Sequence, residues 1–219
     1  MSDPAPLVSV VIPVYNREDL LPRALLSLFS QTYTNWEAVV VDDKSKDRTV
    51  EVANKFAEKD SRIRVIQNIH SGPAETANKG LRDTKGEFIT FLDSDDEYLP
   101  EHLAFRVKRM QAKDHPDIIH GGFKVIGDEM VVDKRDTSRM VSLYDEVVVV
   151  GPTFFGKREV FKALKGFRNI PYFHDSEFLD RAKKIYKVVR IESPTYIYHR
   201  EHTKSVTKEM LDFFEVKQK

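Results

Sequence analysis

Two hydrophobic rhythms alternate along the first hundred residues. Residues 8–12, VSVVI, are too apolar for a sheet with one wet face and predict a short buried strand, ended by Pro13 and Asn16. In REDLLPRALLSLFSQ, Leu21, Leu25, Leu28 and Phe29 recur at helical spacing. Asn16 is the expected cap of that helix, Glu18 and Asp19 suit its first turn, and Pro22 is tolerable only near its start. The cycle then repeats. EAVVVDD predicts a second buried strand, and RTVEVANKFAEKD an amphipathic helix with Val52, Ala53, Phe56 and Ala57 on one face. RIRVIQN predicts a third strand, the segment after Pro73 a short helix, and EFITFLD a fourth strand. Strands alternating with helices imply βαβ units and a largely parallel sheet covered on both faces, an α/β/α sandwich.

Beyond residue 100 the rhythm loosens. PEHLAFRVKRMQAKD predicts a helix and DIIHGGFKVIG a strand, whereas 127–156 is ambiguous apart from VVVV at 147–150, which reads as a strand. SEFLDRAKKIYK predicts a helix, and YKVVRI and TYIYH read as extended. With no repeat, low-complexity tract or linker, the expectation is one domain over 1–219, its 1–110 half built for a nucleotide and its 111–219 half packed against the same sheet.

Composition narrows the function. The 35 acidic and 35 basic residues balance, so no basic stripe suits nucleic acid. Cysteine is absent, which excludes disulfides, thiolate zinc sites and a Cys nucleophile. The opening MSDPAPLVSVVIPVYN lacks a basic n-region and a small-residue cleavage site, so no secretory leader is expected. No apolar run approaches the roughly 20 residues of a membrane span. The expected location is cytoplasmic, with peripheral contact at the inner face of the membrane left open. GPTFFGKREVFKALKGF mixes aromatic and basic residues and reads equally well as such a contact or as a buried helix.

In open parallel α/β sheets, ligands bind beyond the carboxyl ends of the strands. The strands exit here into PVYN (13–16), DDKSKD (42–47) and DSDD (93–96). Asp42 and Asp43 have a plain reading as turn and cap residues, and Asp96 as the cap of a turn before Pro100. An Asp-x-Asp triplet alone is weak, but both clusters directly follow buried strands on the ligand-binding side. Three carboxylates within four positions raise one another's pKa unless a cation or polar ligand offsets the cost. No Gly-rich loop follows the first strand, so a Rossmann or P-loop phosphate site is not expected. Carboxylates that hold a hard divalent cation can nevertheless meet a diphosphate through the ion, and DSDD is read as such a site.

In order and spacing, VSVVIPVYN, WEAVVVDDKSKDRT, SGPAETANKGL and GEFITFLDSDDEYLP resemble the family 2 glycosyltransferases of the GT-A fold, densely over residues 7 to about 110. FHDSEFLDR and YHREHTKSV continue the resemblance more thinly to about 205. It implies an inverting transferase that uses a nucleoside diphosphate sugar, by analogy a UDP-sugar, with Mn2+ or Mg2+, and a glycan or lipid-linked saccharide as acceptor. By position, Pro13, Tyr15 and Asp43, together with Asp42, would surround the nucleobase, and Asn16 and Ser94 are assigned to the nucleotide sugar. Asp93 would reach the ribose, and Asp95 would ligate the metal. Gly72, Asn78 and Gly80 fall where the family has its Asn-x-Gly and Ala-Arg-Asn-x-Gly elements, although Thr76 and Ala77 replace the usual Ala-Arg. Asp175 matches the catalytic base, with Glu177 as rival, an N-cap as its plain reading, and His174 in place of the usual Glu. His202 matches the histidine of the last motif and is assigned to the metal, and Arg200 to the diphosphate. His199 reads as structural.

One base suffices for such a reaction, because a nucleoside diphosphate leaves once its charge is stabilised, and a single displacement predicts inversion. A glycosidase would need two carboxylates flanking the bond, roughly 5–9.5 Å apart, which three neighbours on one loop cannot supply. A sugar-1-phosphate nucleotidyltransferase would want a Gly-rich basic loop where PVYNRED stands. The remaining alternative is a binding module that keeps the nucleotide site without transfer. Tyr172 and Phe173 could stack on a sugar ring, though core packing is the commoner fate of aromatics.

Overall fold

The structure, a computed structural model, describes residues 5–146 and 148–201. Strands β1 (Val8–Val14), β2 (Trp36–Asp42), β3 (Ile63–Gln67) and β4 (Phe88–Phe91) are separated by helices α1 (Leu21–Phe29), α2 (Thr49–Lys59) and α3 (Pro73–Arg82). They pair in parallel in the order β3-β2-β1-β4, the βαβ arrangement the sequence predicts. After β5 (Glu97–Tyr98) and α4 (His102–Met110) come β6 (Ile118–Gly127), the hairpin β7 (Met130–Asp133) and β8 (Asp136–Ser142), then β9 (Phe155–Lys157), α5 (Arg158–Ala163), α6 (His174–Ala182) and β10 (Val188–Arg200). The central sheet runs β3-β2-β1-β4-β9-β6-β10-β5, and β9 and β5 run against the rest.

The period-two alternation of each strand feeds two cores. On β1, Val8, Val10, Ile12 and Val14 pack with Leu21, Leu25 and Leu28 of α1 and Leu103 and Val107 of α4. Val11, Val39 and Val41 point the other way, to Ala74 and Ala77 of α3 and Phe178 and Leu179 of α6. Helices therefore cover both faces, which is why these strands carry no polar face. Each fully buried Leu or Phe contributes about 1.5–3 kcal/mol, an upper bound because unfolded chains already bury part of that area.

Several expectations change. The cap of α1 is Leu20, and Asn16, at φ 51°, turns instead toward the β2 exit. Phe29 is partly exposed and lies against Trp36 and Phe56 at the edge of the core. Residues 148–150 form no strand and lead into a 3-10 turn at Gly151–Thr153. YKVVRI and TYIYH are one strand, β10, broken by a register shift between Ile191 and Tyr196. In GPTFFGKREVFKALKGF, Phe154, Phe155, Phe161 and Phe167 are buried, so these aromatics belong to the core and are not available to a membrane. No helix among the described residues is long and apolar enough to cross one.

Arg106 ties this second half together. Fully buried on α4, it donates to Thr153 O and Gly121 O, both at 2.7 Å, and Gly121 N donates to Thr153 Oγ1 at 2.9 Å. Its two carbonyl partners fix the 151–153 turn against β6, and that turn borders the site described next.

Candidate active site

The exits of β1 and β2 are laced together. Asn16 N donates to Ser45 Oγ at 2.9 Å, Lys46 N to Asn16 Oδ1 at 2.8 Å, and Arg17 N to Thr49 Oγ1 at 2.8 Å. Asp42 accepts from Ser45 N at 3.1 Å, which makes it the turn residue of its plain reading. Asp43 accepts from Ser71 N at 2.9 Å, Gly72 N at 3.1 Å and Asn68 Nδ2 at 3.1 Å, and its carboxylate lies 3.2 Å from His70 Nδ1. Gly72, at φ 85°, turns both its own N–H and the start of α3 toward that carboxylate. His70 also faces Tyr15, with ring centroids 4.8 Å apart. Tyr15, His70 and Asp43 thus gather at the strand exits, and Pro13 sits one pairing step inside them, opposite Val41.

The DSDD loop divides by role. Asp96 is buried, and its carboxylate accepts from the Tyr196 hydroxyl and, at 2.8 Å, from His199 N, so it joins the β4 exit to β10 rather than capping a turn. Asp95 is partly exposed, 3.4 Å from Arg17 Nε, and its carbonyl accepts from Arg23. Asp93 makes no side-chain hydrogen bond among the described residues, and its pKa is pushed up to about 7. Loss of hydration comes first among the causes, followed by the charges of Asp95 and Asp175, with Arg17 opposing. Ser94 is buried between them.

Asp175 comes from the other half of the chain, in the first turn of α6. Its carboxylate accepts from Gly151 N at 3.1 Å and from Ser176 N at 2.7 Å. Burial raises its pKa, opposed by the His174 ring and by these N–H groups. The cap of α6 is Phe173, in the left-handed region at φ 60°, so Asp175 is not the N-cap. Glu177 is held by Arg181 at 2.8 Å and Arg168 at 3.0 Å, away from this cluster.

The other sequence candidates make contacts of their own. Asn78 is buried in α3 and its amide is taken by the main chain of Phe167, accepting from its N at 2.8 Å and donating to its O at 2.7 Å. Gly80 packs against Val11 and Val41, where a side chain has no room. Arg200, near the end of β10, donates to Met130 O at 2.9 Å. His199 bridges Glu97 and Glu201 at 3.0 and 3.2 Å, in keeping with a structural reading. His202 lies outside the described residues. Sequence reasoning missed His70 and Gly151. No motif marks either, and only the fold brings them to Asp43 and Asp175.

A divalent cation fits the donor set at this loop. Asp93 and Asp95 offer hard carboxylate oxygens crowded by like charge, which a cation would relieve. Among the described residues no three His, Asp or Glu side chains gather to hold an ion unaided. That suits magnesium or manganese, which commonly bind through one or two carboxylates and complete their shell with water and ligand phosphate.

Comparison with known proteins agrees on one family. Residues 9–189 match the model of "Glycosyl transferase family 2". An uncharacterized glycosyltransferase of Haemophilus influenzae is 32% identical over 186 residues, covering 82% of this chain and 73% of its own. The UDP-Glc:alpha-D-GlcNAc-diphosphoundecaprenol beta-1,3-glucosyltransferase WfgD of Escherichia coli is 36% identical over 129 residues, 58% of this chain and 50% of its own. By structure, S. aureus TarS 1–349 in complex with UDP-GlcNAc superposes with a TM-score of 0.76 at 23% identity, over 94% of this chain and 65% of that one. The chain thus spans half to about three quarters of the length of these proteins.

Proposed function

The chain belongs to glycosyl transferase family 2 and has the GT-A-type α/β fold, and we propose that it transfers a sugar from a UDP-sugar to an acceptor hydroxyl with inversion. The observation that carries this reading is the meeting of the two halves. Strand exits β1, β2 and β4 deliver Tyr15, Asp43, Asp93 and Asp95 to one edge of the sheet, and Asp175 is close enough for its charge to raise Asp93.

In this reading the nucleobase lies against Tyr15, with Asp43 accepting from its ring, and the ribose reaches Asp93. Bound at Asp95, magnesium or manganese would stabilise the charge of the departing diphosphate. Asp175 takes the proton of the acceptor hydroxyl as its oxygen attacks the anomeric carbon, and its two main-chain donors hold the carboxylate in place. One base and one displacement invert the anomeric centre. The uridine preference is supported by the names of the E. coli relative and the TarS complex, and a glycan or lipid-linked acceptor by the former.

The test is calorimetric titration of UDP with and without manganese on wild type and Asp95→Ala, followed by UDP release from a panel of UDP-sugars. Metal-dependent binding lost in the variant supports the site. Binding that ignores both the metal and the substitution would sink the assignment of Asp95. UDP-sugar binding without turnover on any acceptor would favour a non-catalytic module.

A further inference from the structure

A hollow of about 570 Å³ opens between the β7–β8 hairpin and α6, outside the carboxylate cluster. Phe173 and Ser176, which line it, flank His174 and Asp175 in sequence, so the hollow and the proposed base share the first turn of α6. Its size is in the range that takes a sugar ring with a substituent.

The lining is cationic. Lys134 and Arg135 come from the hairpin turn, Arg168 from the loop after α5, and Arg181 and Lys184 from α6 and the residues after it. Three carboxylates answer these five. Asp133 holds Arg135 at 2.8 Å, Asp180 holds Lys134 at 3.2 Å, and Glu177 is shared by Arg168 and Arg181. Lys184 makes no ion pair among the described residues, so an excess of positive charge faces the space. These groups are not equivalent. Arg181 is committed to the fold, donating to Leu164 O at 2.5 Å and Gly166 O at 2.7 Å. Arg168 and Arg135 are well exposed, at 66% and 51% of their side-chain surface, and with Lys134 and Lys184 they can turn to a ligand. Tyr172, Phe173 and Ile170 add an apolar wall.

We propose that this hollow binds the phosphate of an acceptor that carries a phosphate ester close to the hydroxyl receiving the sugar. Lys134, Lys184 and Arg168 meet the phosphate, the aromatic wall takes the adjoining apolar or ring portion, and the hydroxyl is thereby delivered to Asp175. Cationic side chains on flexible stems suit an anion whose exact position varies with the acceptor. The proposal rests on the transferase reading for the word acceptor, but anion binding in the hollow stands or falls by itself.

The test titrates the full chain, without metal, with inorganic phosphate and with glycerol 1-phosphate, comparing wild type, Lys134→Ala/Lys184→Ala and Asp95→Ala. The two lysines sit on the surface, and folding of the double variant is checked by its thermal transition. Saturable binding weakened about tenfold or more in the lysine variant and unchanged in Asp95→Ala is expected. No saturable binding in wild type, or equal binding in wild type and the lysine variant, overturns the proposal. Displacement of the bound anion by UDP would place it in the donor site and overturns it too. Sedimentation with phosphatidylcholine vesicles, with and without a polyprenyl phosphate, separates the sources. Polyprenyl-dependent sedimentation abolished in the lysine variant assigns a lipid-linked acceptor, and binding of the soluble ester alone assigns a water-soluble one. Phosphate binding of the expected pattern in a protein that ignores UDP would leave the anion site standing and remove the UDP-sugar reading.

Discussion

The main-chain N–H of Gly151 donates to Asp175 Oδ2 at 3.1 Å, and a Cβ at residue 151 would stand 2.8 Å from Asp175 Cβ. The glycine is therefore required by close approach, and the 3-10 turn it opens acts as a rest for the carboxylate. Gly151→Ala is expected to push Asp175 off its position. Displacement of a reacting group by about 1 Å can cost about a hundredfold in rate. UDP release at saturating donor and acceptor should fall by about 10–100-fold, with the UDP dissociation constant unchanged. A variant with full kcat would show that Asp175 need not be held there.

Asp175 also sets an expectation in pH. Burial raises its pKa, and a base must be ionised, so the rate should fall as pH drops through that raised value rather than near the ordinary carboxylate range. The His174 ring opposes the rise. His174→Glu should therefore move the acid limb of kcat/KM to higher pH, and Asp175→Asn should cost about 10²–10⁴-fold in kcat while binding UDP normally. Linkage adds a stability effect. A carboxyl with a raised folded pKa contributes stability present below its unfolded pKa and lost as pH rises through the folded one. Asp175→Asn, free of that loss, should melt above wild type on the alkaline side. An acid limb unmoved by both substitutions would rule Asp175 out as the base.

Within one loop, Asp95 and Asp96 should behave oppositely. Asp96→Ala strands the buried Tyr196 hydroxyl and His199 N–H, at a cost of about 2–4 kcal/mol in urea denaturation. Asp95 has only a partly exposed pair with Arg17 to lose, so Asp95→Ala should cost less than about 1 kcal/mol and act on metal-dependent UDP binding instead. Equal destabilisation by the two would mean that the loop is a structural knot throughout.

That division was not legible in DSDD, where four adjacent letters carry no sign of which side chain turns inward. The parallel half was legible because strands buried on both faces read as continuous apolar runs, and their exits follow from the chain direction. The second half was harder. β9 has three residues, too few for any period, and its antiparallel insertion between β4 and β6 is settled by tertiary pairing. VVVV looked like a strand because Val favours one, yet residues 148–150 serve to approach the Gly151 turn. The β7–β8 hairpin has a weak alternation, with Asp136, Ser138 and Arg139 all exposed, and so escaped notice. Asn16 matched the chemistry of a helix cap, but the β2 exit competed for its amide and won.

His70 follows from the fold alone and gives a test of the nucleotide wall. It holds a left-handed φ of 68°, lies 3.0 Å from Asp43 O through Nδ1, and presents its ring to Tyr15. A base seated on Tyr15 would meet His70 at its edge, and a ring contact of that kind is worth about 0.5–1.5 kcal/mol. His70→Ala should weaken UDP binding by about 3–10-fold. It should leave kcat at saturating donor nearly unchanged, because the contacts of the ring are with Asp43 and Tyr15 and not with Asp175. Tyr15→Ala should weaken binding by at least as much, and the double variant by less than the product, since the two rings touch. Full additivity, or a loss of kcat in His70→Ala, would mean that the base does not rest on this pair of rings.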